Sequence, residues 1–185
     1  ALGVQMDFRV IVIALVLAIS GCQSTSNKKM EDLAKVAEGG DNFAQYLLGY
    51  SYERGDGNPK DLDKAKYWYS KSIEQGNGRS AYNLAILILS GSFGTPDVKK
   101  AIPLLTLAAQ QKHERAPFDL GVLYYKMGGP ENVDLVKGYA WLQVTVHRKL
   151  EDQLTAKSIL SGLNLSTQQM QDASKYTKEL IQKYG

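Results

Sequence analysis

The sequence predicts an all-α protein, an α/α solenoid of antiparallel helix pairs preceded by a targeting segment. Three observations predict it. A block of residues recurs at intervals of 36 positions. Each copy holds two stretches with apolar residues at helical spacing and turn-formers between them. The composition is that of a globular chain: 185 residues, 44% hydrophobic and 22% charged, long enough to bury a core without disulfide or metal staples.

The first element is for targeting. Val10 to Ile19 is apolar throughout and carries no charge. A transmembrane helix needs about 20 such residues, so this shorter run suits the core of a secretory signal. Arg9 supplies the cation before it, Asp7 works against that charge, and Met6 is the expected start. Ile19-Ser20-Gly21-Cys22 then sets small residues ahead of the chain's single cysteine. This stretch resembles the lipobox of bacterial lipoproteins. The resemblance implies cleavage before Cys22 and acylation of its thiol and new amine. Gln23 stands where an aspartate would retain such proteins in the inner membrane, which implies a lipid anchor in the outer membrane of a Gram-negative cell. Each buried methylene adds about 0.8 kcal/mol, so several acyl chains hold together effectively for good. Residues 1–21 are expected to be the signal, and residues 22–29 a lipidated polar tether.

Repeats are expected over residues 30–147. Ala44-x3-Leu48-Gly49-x2-Tyr52 matches Ser80-x3-Leu84-Ala85-x2-Ile88 and Ala116-x3-Leu120-Gly121-x2-Tyr124, each 36 residues further on. A second block follows each. Asp61-x2-Lys64-Ala65-x2-Trp68-Tyr69 returns after 36 residues as Asp97-x2-Lys100-Ala101-x2-Leu104-Leu105. It returns after a further 37 as Asp134-x2-Lys137-Gly138-x2-Trp141-Leu142, so the third copy carries one inserted residue, expected in its loop. A partial copy, Lys35-x2-Glu38-x-Gly40, precedes them and matches Lys71-x2-Glu74-x-Gly76.

Each block reads as a helix. In the first type, Ala44, Leu48, Ser51, Tyr52 and Gly55 share one face, and Gly49, Ala85 and Gly121 are small where two helices approach. In the second type, Asp61, Asp97 and Asp134 stand where an N-cap accepts from orphan backbone N–H groups. Gly40 and Gly76 end helices of that type. Turns fall at Gly55 to Pro59, Gly91 to Pro96 and Gly128-Gly129-Pro130. Neither helix can bury its apolar face alone, so the pairs stack. These columns resemble the Sel1-like repeat, a relative of the tetratricopeptide repeat, with a partial copy at 30–40 and copies near 41–76, 77–112 and 113–148. The second copy departs from the pattern in having Ile88 and Leu104 at the two aromatic positions.

Residues 149–185 are expected to form capping helices. Leu150, Leu154 and Ile159 begin one, with Leu160 and Leu163 near its end. Ser166-Thr167-Gln168-Gln169 reads as a capping box. Met170, Ala173, Thr177, Leu180, Ile181 and Tyr184 form the inner stripe of the last helix, whose outer face is polar.

Chemistry is sparse. There is no phosphate-binding glycine loop, nucleophile elbow or zinc-protease motif, so no catalytic residue, metal or cofactor is expected. One cysteine excludes an internal disulfide, and two histidines leave little for a metal cage. A net charge of +3 with both signs interspersed does not mark a nucleic-acid binder. His113 and His147 fall at the ends of second-type helices, where an imidazole can pair with free carbonyls. Asp56, Asn58, Asp61 and Asp63 lack the spacing of a calcium loop, and Lys60 intrudes. Trp68, Tyr69 and Trp141 occupy repeat columns and are expected in packing. Tyr46 and Tyr82 share a column with Phe118, whereas Tyr50 and Tyr125 stand outside the pattern.

The resemblance implies a non-catalytic scaffold or adaptor holding other proteins in the periplasm, as similar lipoproteins do in envelope machines such as exopolysaccharide secretion complexes. A second reading is a periplasmic immunity lipoprotein that neutralises a toxic effector. A third, a hydrolase of cell-wall or β-lactam substrates, has little footing. Its cysteine-rich models are disulfide-linked repeat by repeat, and this chain has no cysteine after Cys22. On a helical wheel the arc opposite the buried face centres on Tyr50, flanked by Phe43, Leu47 and Arg54. Its equivalents are Arg79, Asn83, Ile86 and Ser90, then Arg115, Asp119, Val122 and Lys126. First helices of such pairs line the concave side, so these columns are expected to form one groove. An apolar ladder, Tyr50–Ile86–Val122, would run beside Arg54, Arg79, Arg115 and Lys126 and suit a protein or peptide segment with acidic residues. A competing expectation folds residues 29–37, or the last helix, over this face.

Overall fold

The computed structural model describes residues 28–127 and 134–184, and the regular elements among them are all helical. The expected signal, Cys22 with most of its tether, and the Gly128-Gly129-Pro130 turn lie outside the described residues. Helix α1 spans 28–38, so it begins two residues inside the stretch expected as tether. There follow α2 (Asn42–Arg54), α3 (Leu62–Glu74), α4 (Gly78–Leu89), α5 (Val98–Gln110) and α6 (Ala116–Val122), which runs on as a π turn, Leu123–Met127. The chain ends in α7 (Leu135–His147), α8 (Gln153–Gly162) and α9 (Thr167–Tyr184). First-type helices are α2, α4 and α6; second-type helices are α3, α5 and α7. This is the solenoid of helix pairs that the repeats predict.

Capping explains the boundaries. Asp61, Asp97 and Asp134 accept the backbone N–H of Lys64, Lys100 and Lys137 at 2.9, 3.0 and 2.9 Å. Each lysine returns its ammonium to the same carboxylate, at 3.8, 3.0 and 2.9 Å. The exposed ion pairs add little beside the caps. First-type helices are capped by a column of their own: Asp41 takes the Ala44 amide at 2.7 Å, and Asn77 takes those of Arg79 and Ser80 at 3.0 and 3.1 Å. Gly40 and Gly76 end α1 and α3 with φ of 97° and 81°, a region that costs glycine nothing. Gly55 does the same for α2 at φ 80° and is exposed, so it terminates the helix instead of joining its buried face.

Internal contacts divide the chain into two compact units, one ending at Trp68 and one beginning at Tyr69. In the first, Ala37, Ala44 and Leu48 are buried, with Met30, Leu33, Ala34, Tyr52 and Trp68 packed on them. In the second, Ala81, Ala85, Ala101, Leu105, Leu120 and Trp141 lead a continuous core that takes in Leu180 and Tyr184 of α9. The small columns are shut tight: Ala65, Ala85 and Ala101 are wholly buried, and Gly49 and Gly121 are buried. Leu84 is buried as well, while Tyr124 is half-buried.

The third copy keeps its backbone strut across the inserted residue. The Tyr124 carbonyl accepts from the Asp134 amide at 2.8 Å, the same strut that Tyr52 and Asp61 form in the first copy at 2.9 Å. The extra residue therefore lies between Tyr124 and Asp134. A π turn closes each hydrogen-bonded ring with one residue more than an α turn, and Leu123–Met127 is such a turn.

At the C-terminal end the capping box forms as expected. The Ser166 amide donates to Gln169 Oε1 at 2.9 Å, and the Gln169 amide donates to Ser166 Oγ at 3.2 Å. Ala173, Leu180 and Tyr184 are buried, but Met170 is exposed, because the packing of α9 on α7 and α5 starts a turn further in. Helix α8 begins at Gln153, after Leu150, and Leu154 points to solvent with 73% exposure.

Candidate functional site

Helical spacing sets Phe43, Tyr46, Tyr50 and Arg54 along one side of α2, away from Ala44 and Leu48. Phe43 is 49% and Tyr50 37% exposed. Ring centroids are 5.8 Å apart from Phe43 to Tyr46 and 6.2 Å from Tyr46 to Tyr50, tilted by 32° and 31°. The Arg54 guanidinium lies 5.7 Å from the Tyr50 centroid, extending the strip with a cation over a ring face. Arg54 also meets Asp56 at 3.5 Å in an exposed pair. Helix α1 packs on the opposite side, against Ala44 and Leu48, so residues 29–37 do not cover the strip.

In the second unit, Ile86 is 39% exposed on α4, whereas Val122 is half-buried at the end of α6 and offers no open rung. Arg79, Arg115 and Lys126 are exposed. Asn83 is turned to structure, its Nδ2 donating to Tyr69 Oη at 3.0 Å. Helix α9 packs on α7 and α5, so the last helix does not close over Ile86.

On the same side of this unit a polar cluster is built around Tyr82. Burial, and then the Asp119 carboxylate that accepts its hydroxyl hydrogen, push the Tyr82 phenol up to about 12. Burial holds the Asp119 carboxyl above its usual range, against the pull of that bond and of Arg115. Arg115 is held charged by Tyr82 and by Asp152, which precedes α8. The His113 ring lies flat on Tyr82, centroids 3.9 Å apart and planes 19° apart. Arg148, just past α7, donates from Nη2 to the Lys112 carbonyl at 3.1 Å and so pins the 111–115 turn, where Lys112 takes a φ of 60°.

His113 corrects the expectation of a carbonyl partner, since its Nδ1 is buried with no hydrogen-bond partner. It stands 36 residues after Asn77, in the column where Asp41 and Asn77 cap first-type helices. It caps nothing there: α6 starts without a side-chain cap and with proline in its first turn. That column, Asp41–Asn77–His113, is the signal in the sequence that leads to the cluster. His147 lies exposed in the last turn of α7.

The packing aromatics fall as expected, with Tyr69 and Trp141 at most 2% exposed and Trp68 half-buried. In the oxygen-rich stretch, Asp56 is engaged by Arg54 and Asp61 by the Lys64 amide. Among the described residues, no three of His, Cys, Asp or Glu converge to hold a metal ion. No described helix is long and apolar enough to cross a membrane.

The Sel1 repeat family matches residues 42–77, 78–113 and 116–144, more than half of the chain. This chain belongs to the Sel1-repeat family. It is similar to Protein SHC1 of Saccharomyces cerevisiae S288c, 33% identical over 114 residues that make up 60% of this chain and 22% of that protein. The chitin synthase regulator SKT5 of the same yeast is 30% identical over 127 residues, 67% of this chain and 18% of that protein. The chain thus spans about a fifth of the length of these relatives. A solved Sel1 repeat protein from Oxalobacter formigenes superposes with a TM-score of 0.61 at 26% identity, covering 74% of this chain and 99% of that one. A second structure, c5321, is a protective antigen of uropathogenic Escherichia coli with an SLR fold; it gives 0.52 at 25% identity, covering 84% and 41%.

Proposed function

We propose that this Sel1-repeat chain is a non-catalytic adaptor, lipid-anchored at Cys22 to the outer membrane of a Gram-negative cell, that holds a partner protein in the periplasm. The observation that carries the docking part is the open strip Phe43–Tyr46–Tyr50 with Arg54 at its end. Rigid aromatic rings and arginine are the side chains on which binding energy concentrates. The exposed cations of α4 and α6, Arg79, Arg115 and Lys126, favour a segment bearing acidic side chains. A binding role accords with the regulator named among its relatives. An immunity lipoprotein would use the same strip and differ in capturing a toxic effector.

The anchor and the docking face are tested separately. Cys22→Ala should abolish incorporation of labelled palmitate and release the protein from the outer-membrane fraction; label retained in the variant excludes the anchor. A partner captured from detergent-solubilised envelope should bind Tyr50→Ala and Arg115→Glu more weakly. If folded Tyr50→Ala binds within roughly threefold of the parent, well under the 1.4 kcal/mol of a tenfold change, the α2 strip is not the site; the same result for folded Arg115→Glu excludes the face of α4 and α6.

A further inference from the structure

We propose that His113 is a proton-triggered latch on the docking face formed by α4 and α6, a proposal that rests on reading that face as the partner's site. The imidazole lies flat on Tyr82, and its Nδ1 is buried without a hydrogen-bond partner. Whichever nitrogen carries the hydrogen of the neutral ring, the imidazolium carries one on both. In the imidazolium, Nδ1 is therefore a buried N–H with nothing to receive it.

The positive charge is no better placed. Arg79 on α4, Arg115 at the head of α6 and Arg148 past α7 all act on the ring, and Lys112 adjoins it. Glu114, exposed in the same turn, is the acid that favours the imidazolium. The other acids of the cluster, Asp119 on α6 and Asp152 ahead of α8, act on Tyr82 and Arg115. Burial and the arginines outweigh Glu114 and hold the ring below the usual imidazole range.

The sign follows from that direction. A group whose pKa is depressed on folding contributes stability that is present above its unfolded value, about 6.5, and is lost as pH falls toward the folded one. The escape is to unstack: the ring swings to solvent, the 111–115 turn loosens, and Arg115 leaves its place at the head of α6. Mild acid then weakens docking. Asp119, held above its usual range, takes up its proton with the opposite effect on stability, so comparing parent with His113→Gln isolates the ring.

Proton NMR of the folded chain separates the imidazoles, because the sequence holds only His113 and His147. The His113 signal should be displaced by the Tyr82 ring at neutral pH and should titrate below about 6.5, the value of a free imidazole. Amide exchange across 111–119, corrected for its intrinsic pH dependence, should rise several-fold between about pH 7.5 and 5. His113→Gln should show no such rise. Titration of His113 at or above the free value, or an equal rise in the variant, overturns the latch. The parent's titration needs no substitution, so a variant that fails to fold leaves the test intact. Neither readout uses a partner, so the docking reading of this face fails by a different result, namely undiminished affinity in Arg115→Glu.

Discussion

At Gly121 a β-carbon would sit 2.7 Å from Leu142 Cγ and 3.1 Å from the Leu142 backbone nitrogen. A side chain can yield, but backbone cannot. Gly138 faces the same contact from α7, where a β-carbon would meet Tyr125 N at 3.1 Å and Gly121 O at 3.2 Å. The third pair thus closes with glycine on both helices. Gly121→Leu should cost roughly 1–3 kcal/mol by overpacking, and an unchanged thermal midpoint would show that α6 and α7 are not in this register. The small column Gly49–Ala85–Gly121 was legible from its spacing alone. Its partner was not, because Gly138 reads as a lapse from Ala65 and Ala101 until the two backbones are seen together. Asn77 belongs to this scale too. Its side chain takes two amide hydrogens, and Asn77→Ala should cost about 1 kcal/mol in denaturant unfolding.

Helices obey the same rules at their ends. Ser166 and Gln169 satisfy each other's amides at the start of α9, so Ser166→Ala should destabilise by about 1 kcal/mol. Its effect should be local: faster amide exchange at residues 167–170 with little change across α7. Exchange unaltered at those residues would mean that packing, not the box, sets where α9 begins. Both the box and most of the inner stripe could be read from periodicity. The π turn could not. Spacing counts an inserted residue, but whether a loop or a widened helical ring absorbs it depends on contacts at both of its ends. Here the Tyr124–Asp134 strut is kept, and Leu123–Met127 winds as a π turn. Val122, immediately before that turn, is half-buried, which removes the third rung of the ladder that the wheel predicts. Tyr50 and Ile86, by contrast, are 37% and 39% exposed.

Across the molecule, stacked pairs leave one apolar face at the end of the array, and that face needs a cap with a polar outer side. Helix α9 serves the second unit in this way. Tyr184 lies over Trp141, centroids 5.6 Å apart at 14°, and its hydroxyl accepts from Gln110 Nε2 at 3.2 Å. Leu180 is 4% exposed and belongs to the same core as Trp141 and Leu105. The amphipathic pattern of residues 167–184 predicts such a cap, while its seat on Trp141 depends on a contact between residues too far apart in sequence for spacing to reveal. The chain's two tryptophans fall one in each unit, Trp68 in the first and Trp141 in the second. In a Trp68→Phe background, emission therefore reports the second unit alone. Adding Leu180→Ala removes buried methyls from that core and should cost about 2–5 kcal/mol. The Trp141 unfolding midpoint should fall accordingly, and Tyr184→Ala should shift its native emission to the red by admitting water to the indole. If Leu180→Ala leaves the midpoint in place and Tyr184→Ala leaves the emission unmoved, α9 does not cap this core, and the second unit must hold Trp141 dry through α5, α6 and α7 alone.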